Sequence, residues 1–328
     1  MLFRLAPLRR FLPPAFALAF AFLLAGPPAA ARPGPAYKGA IMIDAASGRI
    51  LFEDHADTIS PPASMTKLMT FAVLDDRIRA GALSLQTRVA VAPADTRTSP
   101  SIIGLRPREV FPMVELVYAM MLPSANDAAL AVGRTVGGSV PAFVGMMNAK
   151  ARALGMTRTT FRSPNGLPPP SRRIADGDLT TPRDFALLCR YLILHTDILR
   201  YTSVRTRLFG VNFRFPPTPM TNHNHLLGKI EGVDGLKTGF TDSAGSCLAA
   251  TAERQGHRVI VVMMDSPDSR SRDLKVAELI ERGFVAETFA PPTMGQPAGA
   301  PGRPAAPTAA PQPADSSPPL IRFPTPNQ

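Results

Sequence analysis

The sequence predicts an α+β fold: an antiparallel β-sheet flanked by helices, with a helical subdomain inserted in the middle of the chain. Three observations carry this. Strand-like patterning occurs twice, at 40–53 and at 232–264. Between these stretches lie segments with helical apolar spacing, bounded by caps, prolines and glycines. Strands, then helices, then strands argue for one sheet covered by helices, not for a regular alternation of strand and helix.

"AIMIDAASGRILFE" (40–53) reads as a hairpin. Apolar alternation runs to Asp44, Ser47-Gly48 make the turn, and a second strand follows. A helix follows Pro61-Pro62. It starts at or near Ser64, carries Leu68, Phe71, Ala72 and Ile78 at helical spacing, and closes at Gly81. "TRVAVAPADT" (87–96) reads as a short strand. Residues 113–138 read as two helices broken at Pro123, which exposes Ser124-Ala125-Asn126 and leaves Asp127 to cap the second. "PAFVGMMNAKARALG" (141–155) has proline at its start and glycine at its end, as a helix should. In "TTPRDFALLCRYLILH" (180–195), Thr181 is a cap, Pro182 sits in the first turn, and the apolar spacing is regular. Residues 232–264 read as two long strands with Gln255-Gly256 in the turn between them.

The two ends differ in texture. Arg4, Arg9 and Arg10 precede the apolar run "AFALAFAFLLA" (15–25), and "AAA" (29–31) precedes Arg32. This is the pattern of a secretory signal over 1–31, which implies export to the periplasm or cell envelope. Left uncleaved, the same segment would tie the protein to the membrane. Residues 291–328 hold 12 of the chain's 36 prolines with few charges. Such a stretch cannot bury enough apolar surface to fold alone, so 287–328 reads as a disordered Pro/Ala-rich tail. That leaves 32–286 as one catalytic-sized domain.

Composition narrows the function. The chain has 328 residues, 45% of them apolar, enough for a substantial core. Its net charge of +11 invites a nucleic-acid reading. The basic residues are scattered, however, and the chain has no Trp and four Tyr, so base-stacking platforms are missing. A basic surface equally suits an anionic cell-envelope polymer. Cys189 and Cys247 are the only cysteines. One lies in an apolar helix and one in a strand, the settings of two buried thiols. His223 and His225 lack the further ligands that a metal site needs, and no metal or organic cofactor is implied.

Three short motifs carry chemistry. Ser64-x-x-Lys67 opens a helix, "SAN" (124–126) sits at a helix break, and "KTG" (237–239) lies in an apolar strand. Each is weak alone; in this order and these contexts they reinforce one another. Residues at i and i+3 share a helix face, so Lys67 can reach the Ser64 hydroxyl and take its proton. To do so Lys67 must be neutral. Burial and a second cation, for which Lys237 is placed, would lower its pKa.

Together with "SPNGL" (163–167), "LTTPRDFALL" (179–188), "TNHNHLL" (221–227) and "VDGLKTGFT" (233–241), the motifs resemble the low-molecular-mass penicillin-binding proteins. These are the serine-type D-alanyl-D-alanine carboxypeptidases, with the transpeptidase-like fold of the serine β-lactamases. The resemblance runs from about Ala40 to Phe284 and breaks off before the small β-domain and anchor helix that many members add. It implies an acyl-enzyme on Ser64 with Lys67 as base and Ser124 in the proton relay. It implies that Asn126 holds the substrate amide, while Lys237 joins the Ser124 network and, with Thr238 and Gly239, faces the substrate carboxylate. The N–H groups of Ser64 and Phe240 would bind the oxyanion. In the family an arginine at a later strand end also meets the carboxylate. "DSRSRD" (268–273) offers Arg270 and Arg272, of which Arg272 is preferred. Ala125 replaces a common Gly, and Phe240 stands where some members have His. The implied partners are peptidoglycan stems ending in D-Ala-D-Ala, and β-lactams.

Three other functions share these residues. A D,D-endopeptidase would cut cross-links with the same site. A class A β-lactamase needs a carboxylate for deacylation, and no Glu occurs between Glu115 and Glu231. A non-catalytic penicillin sensor need not retain Ser64, Lys67 and both other motifs together.

Overall fold

The computed structural model describes residues 37–289. The signal-like segment and nearly all of the Pro/Ala-rich stretch lie outside the described residues. In chain order the elements begin with strands β1 (Gly39–Asp44) and β2 (Ile50–Asp54), the first hairpin, as its turn residues predict. A 3-10 turn (Ala63–Thr66) leads into helix α1 (Lys67–Arg79), followed by short strands β3 (Arg88–Ala90) and β4 (Val110–Pro112). Helices α2 (Met113–Met121), α3 (Asn126–Gly137) and α4 (Val140–Ala153) come next, then α5 (Pro182–His195) and α6 (Leu199–Thr202). Strands β5 (Thr206–Phe209), β6 (Thr218–Thr221), β7 (Val233–Thr241), β8 (Gly245–Arg254) and β9 (His257–Ser266) precede helix α7 (Ser269–Phe289).

The main sheet has five antiparallel strands in the order β2-β1-β9-β8-β7. Its two faces follow from the period-two alternation of a strand. Ile41, Ile43, Ile260, Val262 and Met264 point into the larger core, with Leu68, Phe71, Leu116, Phe185 and Leu188. Ala40, Met42, Val259, Val261 and Met263 point the other way, onto Val276, Leu279 and Ile280 of α7. Sequence reading merges β7 and β8 into one strand. The structure breaks them at a tight turn, where Ala244 N donates to Thr241 O at 3.1 Å and Gly245 adopts φ +60°. Asp242-Ser243 supplies polar turn chemistry inside an apolar run, and that signal is easily lost.

The first two turns of α1 are buried on every side, Lys67 through Leu74 being enclosed, while Asp75–Arg79 reach the surface. A helix apolar all round belongs in the middle of a domain. It lies between the sheet and the helical region, so anything on its first turn faces the junction of the two. The cap expected at Thr181 forms, with its side chain accepting from Asp184 N at 3.1 Å, a contact worth ~1 kcal/mol. The cap expected at Asp127 does not. Helix α3 starts one residue earlier, at Asn126, and the Asp127 carboxylate accepts instead from Ile103 N and Leu105 N at 3.1 and 2.9 Å. Asp127 therefore pins the preceding loop. Cys189 and Cys247 are both buried and unpaired.

Candidate active site

The site is assembled where three backbone features meet. The 3-10 turn presents Ser64, partly exposed, and the next turn carries Lys67, with no exposed surface. Strand β7 lies against this turn so closely that a Cβ on Gly239 would stand 2.6 Å from Pro62 O. On the other side, a Cβ on Gly166, at φ +80°, would stand 1.9 Å from Ala63 O. Only glycine permits either approach.

Lys67 Nζ has three partners: Ser64 Oγ at 2.8 Å, Asn126 Oδ1 at 2.7 Å and the backbone oxygen of Asn165 at 2.8 Å. The Asn126 amide has one consistent orientation, because its Nδ2 donates to Pro100 O at 2.6 Å. Two of the three partners can only accept. A neutral amine has two hydrogens and one lone pair, so it can donate to both carbonyls and accept from the Ser64 hydroxyl. The electrostatics agree. Burial, and then the charge of Lys237, hold Lys67 well below the ordinary lysine range, against weaker opposition from Asp178 and Asp127.

Lys237 is also buried, and its Nζ donates to Thr238 O at 3.0 Å. Burial, and then the Arg272 charge, lower its pKa to about 7. Thr238 is nearly buried. Ser124 adopts φ +62°, and its Oγ is buried without a hydrogen-bond partner among the described residues. No bond joins it to Lys237 among the described contacts. Arg272 lies in the first turn of α7, not at a strand end, and its guanidinium is buried. Nη1 donates to Cys247 O at 3.3 Å, and Nε and Nη2 to Asp273 Oδ1 at 2.9 and 2.7 Å. Arg270 is exposed and lines a separate cavity with His225 and Lys229.

Sequence reading misses several members of this site. Asn165 contributes a carbonyl, which has no side-chain signature, although "SPNGL" marks its neighbourhood. Asp178 is buried behind the turn and accepts from Thr66 Oγ1 at 2.8 Å. His223 stands near the cations. Desolvation, then Lys237, His225, Lys67 and Arg272, push its pKa down to about 4. An open cavity of about 820 Å³ is bounded by Ser99-Pro100, Pro168–Pro170 and Phe240–Ser243.

A buried, neutral-leaning lysine held on a serine hydroxyl is equipped to generate an alkoxide for attack on an acyl carbon. The sequence profile of the D-alanyl-D-alanine carboxypeptidase family matches residues 29–268. The chain belongs to this family. It is 34% identical to D-alanyl-D-alanine carboxypeptidase DacC of Escherichia coli over 251 residues, 74% of this chain and 60% of DacC. It is 30% identical to the D-alanyl-D-alanine endopeptidase of the same organism over 244 residues, 72% of this chain and 74% of that protein. Among solved structures, the ampicillin-bound penicillin-binding protein D2 of Listeria monocytogenes superimposes with a TM-score of 0.67 at 33% identity. The match covers 77% of this chain and all of that one. The chain spans about three fifths of the length of the Bacillus subtilis and E. coli carboxypeptidases that it matches. The α+β, transpeptidase-like fold expected from the sequence is the one these family members share.

Proposed function

We propose that this protein is a serine D-alanyl-D-alanine carboxypeptidase that removes the terminal D-Ala from peptidoglycan pentapeptide stems and is acylated by β-lactams. One observation carries the reading: Lys67 Nζ, fully buried, sits 2.8 Å from Ser64 Oγ with its other two positions taken by carbonyls. Lys67 takes the Ser64 proton as the oxygen attacks the carbonyl of the penultimate D-Ala. The Ser64 and Phe240 N–H groups receive the oxyanion. Ser124, whose hydroxyl has no competing partner among the described residues, passes a proton to the leaving amine. Asn126 holds Lys67 and the substrate amide. Lys237, Thr238 and Gly239 face the terminal carboxylate. Arg272 acts from behind, through its charge on Lys237. Water then releases the acyl group from Ser64.

Incubation with diacetyl-Lys-D-Ala-D-Ala should release D-Ala, and Ser64→Ala should release none. Release by the variant at the parental rate would overturn the assignment. The identity to the E. coli endopeptidase supports a second reading, in which the same site cuts cross-links. Purified muropeptides separate the two: free D-Ala from pentapeptide monomers marks the first, conversion of dimers to monomers the second. We also place the enzyme in the periplasm, with residues 1–31 removed, 32–286 catalytic and 287–328 dispensable. A soluble cytoplasmic pool retaining Met1 would contradict this location. Loss of folding on truncation near residue 290 would contradict the domain limits.

A further inference from the structure

We infer that the tip of the β5–β6 hairpin is a docking surface for an anionic lipid bilayer. This rests on the hairpin alone and does not depend on the chemistry at Ser64. The hairpin has an inner and an outer side. On the inner side Phe209 is buried against Phe111, with ring centroids 4.8 Å apart. Arg214 anchors the loop by donating to Glu109 Oε2 at 2.6 Å and to Ile103 O and Gly104 O at 3.1 and 3.0 Å. Among the described residues little covers the outer side, although the Phe213 ring meets Phe111 edge-on at 6.2 Å. Phe215 is 97% exposed, Val211 57% and Leu208 48%, with Phe213 and Ile102 also exposed. A folded chain gains nothing in water from holding Phe215 and Val211 outward on one turn.

Charge decides among occupants. No acidic residue occurs between Asp197 and Glu231, a span that holds the whole hairpin. The two acids beneath it are already engaged, Glu109 by Arg214 and Glu115 by Arg207. Arg106 and Arg108, in the loop that Arg214 grips, are exposed, and Arg205 is exposed at the hairpin base. So is Arg88, whose guanidinium lies 5.9 Å from the Phe213 ring. An apolar tip flanked by exposed arginines matches a surface that is negative outside and apolar beneath. The shape agrees. Stable protein interfaces need about 800 Å² per partner, and a few side chains on one protruding turn do not provide it.

The hairpin also leads directly to the site. Asn222, just past β6, donates to Arg205 O at 2.9 Å and closes the hairpin base, and His223 follows it among the active-site cations. The four paired residues of each strand span roughly 13 Å. A docked tip would therefore hold the cleft at a fixed, short height above the bilayer.

The chain has no Trp, so Phe215→Trp makes a single local probe in the full-length protein. With phosphatidylglycerol vesicles its emission should shift to the blue, and brominated acyl chains should quench it. Phosphatidylcholine vesicles should do neither, and raised salt should reverse the shift. Leu274→Trp, an exposed control on α7, should stay unshifted. Phe213→Ser with Leu208→Ser, added to the Phe215→Trp chain, should weaken the response on the order of tenfold or more. Water-like emission with anionic vesicles would overturn the proposal, as would equal shifts with both lipids. A shift that grows with protein concentration without vesicles would assign the tip to a second copy of the chain and also overturn it.

Discussion

Thr66 Oγ1 donates to Asp178 Oδ2 at 2.8 Å, joining the turn that carries Ser64 to a carboxylate 112 residues along the chain. The same carboxylate accepts from Arg162 N, Ser163 N and Ser163 Oγ at 2.5, 3.0 and 3.1 Å. It thereby fixes the arch at 163–166. That arch places Asn165 O on Lys67, and Pro164 O accepts from Thr70 Oγ1 at 2.6 Å. Asp178 touches no catalytic atom. It sets the distance between the arch and the lysine.

Asp178→Ala should therefore cost more than a surface change. It leaves four donors, one buried and three part-buried, without their acceptor, at about 2–4 kcal/mol of stability. Acylation by a fluorescent penicillin should fall as well. Asp178→Asn keeps one acceptor and should recover part of both losses. Equal acylation by all three proteins would show that the arch holds itself.

The two proposed catalytic residues and the proposed substrate-binding Lys237 should fail in different ways. Lys67→Ala should lower the second-order acylation rate by ~10²–10⁴-fold, the usual worth of a positioned base. Ser64→Ala should abolish the covalent adduct, detected as absence of the mass shift. Lys237→Ala should weaken peptide binding as well as turnover, raising KM for D-Ala-D-Ala peptides. A Lys67→Ala variant acylating at the parental rate would remove Lys67 from the mechanism.

The rate should also depend on pH in a set direction. In the proposed mechanism Lys67 acts as base when neutral, and its pKa lies well below the ordinary lysine value. Acylation should thus persist well below the pH at which an ordinary lysine takes up its proton, and decline further to the acid side. The Lys237 charge helps keep Lys67 deprotonated. Lys237→Met removes that charge and should move the acid limb to higher pH. A limb that stays in place would mean burial alone depresses Lys67.

Stability should change with pH through the same residues. Lys237 has a folded pKa of about 7 against 10.5 for the free side chain. Above pH 7 the unfolded chain holds the extra proton, so stability rises with pH, while below 7 the full cost of the buried charge is present. Cys189 and Cys247, whose buried thiols have raised pKa values, act in the opposite sense once free thiols ionise. The window is therefore roughly pH 7 to 8.5. Within it, Lys237→Met should show a smaller slope of urea-unfolding free energy against pH than the parent.

Much of this molecule is readable from sequence because its signals are local. Thr181-Pro182 marks the start of α5, Ser47-Gly48 the first turn, and Ser64-x-x-Lys67 a pair one helical turn apart. What escapes reading depends on distant or backbone contacts. The β5–β6 hairpin contains Pro216, Pro217 and Pro219, which mask its strand pattern. Asn165 acts through its carbonyl. Asp178 gains its importance from Thr66, and nothing near residue 178 announces it. Arg272 is visible as an arginine, but its helical seat behind Lys237 follows from α7 packing on the sheet.

On the proposed function, with Ser64 as nucleophile, the glycines on either side of its turn bear on antibiotic resistance. Gly239 and Gly166 bring backbone against backbone, so the nucleophile has no slack in either direction. A mutation that shifts the turn to evade a β-lactam would shift it equally from D-Ala-D-Ala, and selection would lose the enzyme along with the inhibitor. Side chains on the open rim are under no such constraint. Phe240, the Pro168–Pro170 wall and Arg172 line the open cavity, which on the proposed function is where the bulky acyl group of a drug would lie. Resistance through this protein should therefore accumulate at the rim and spare the turn.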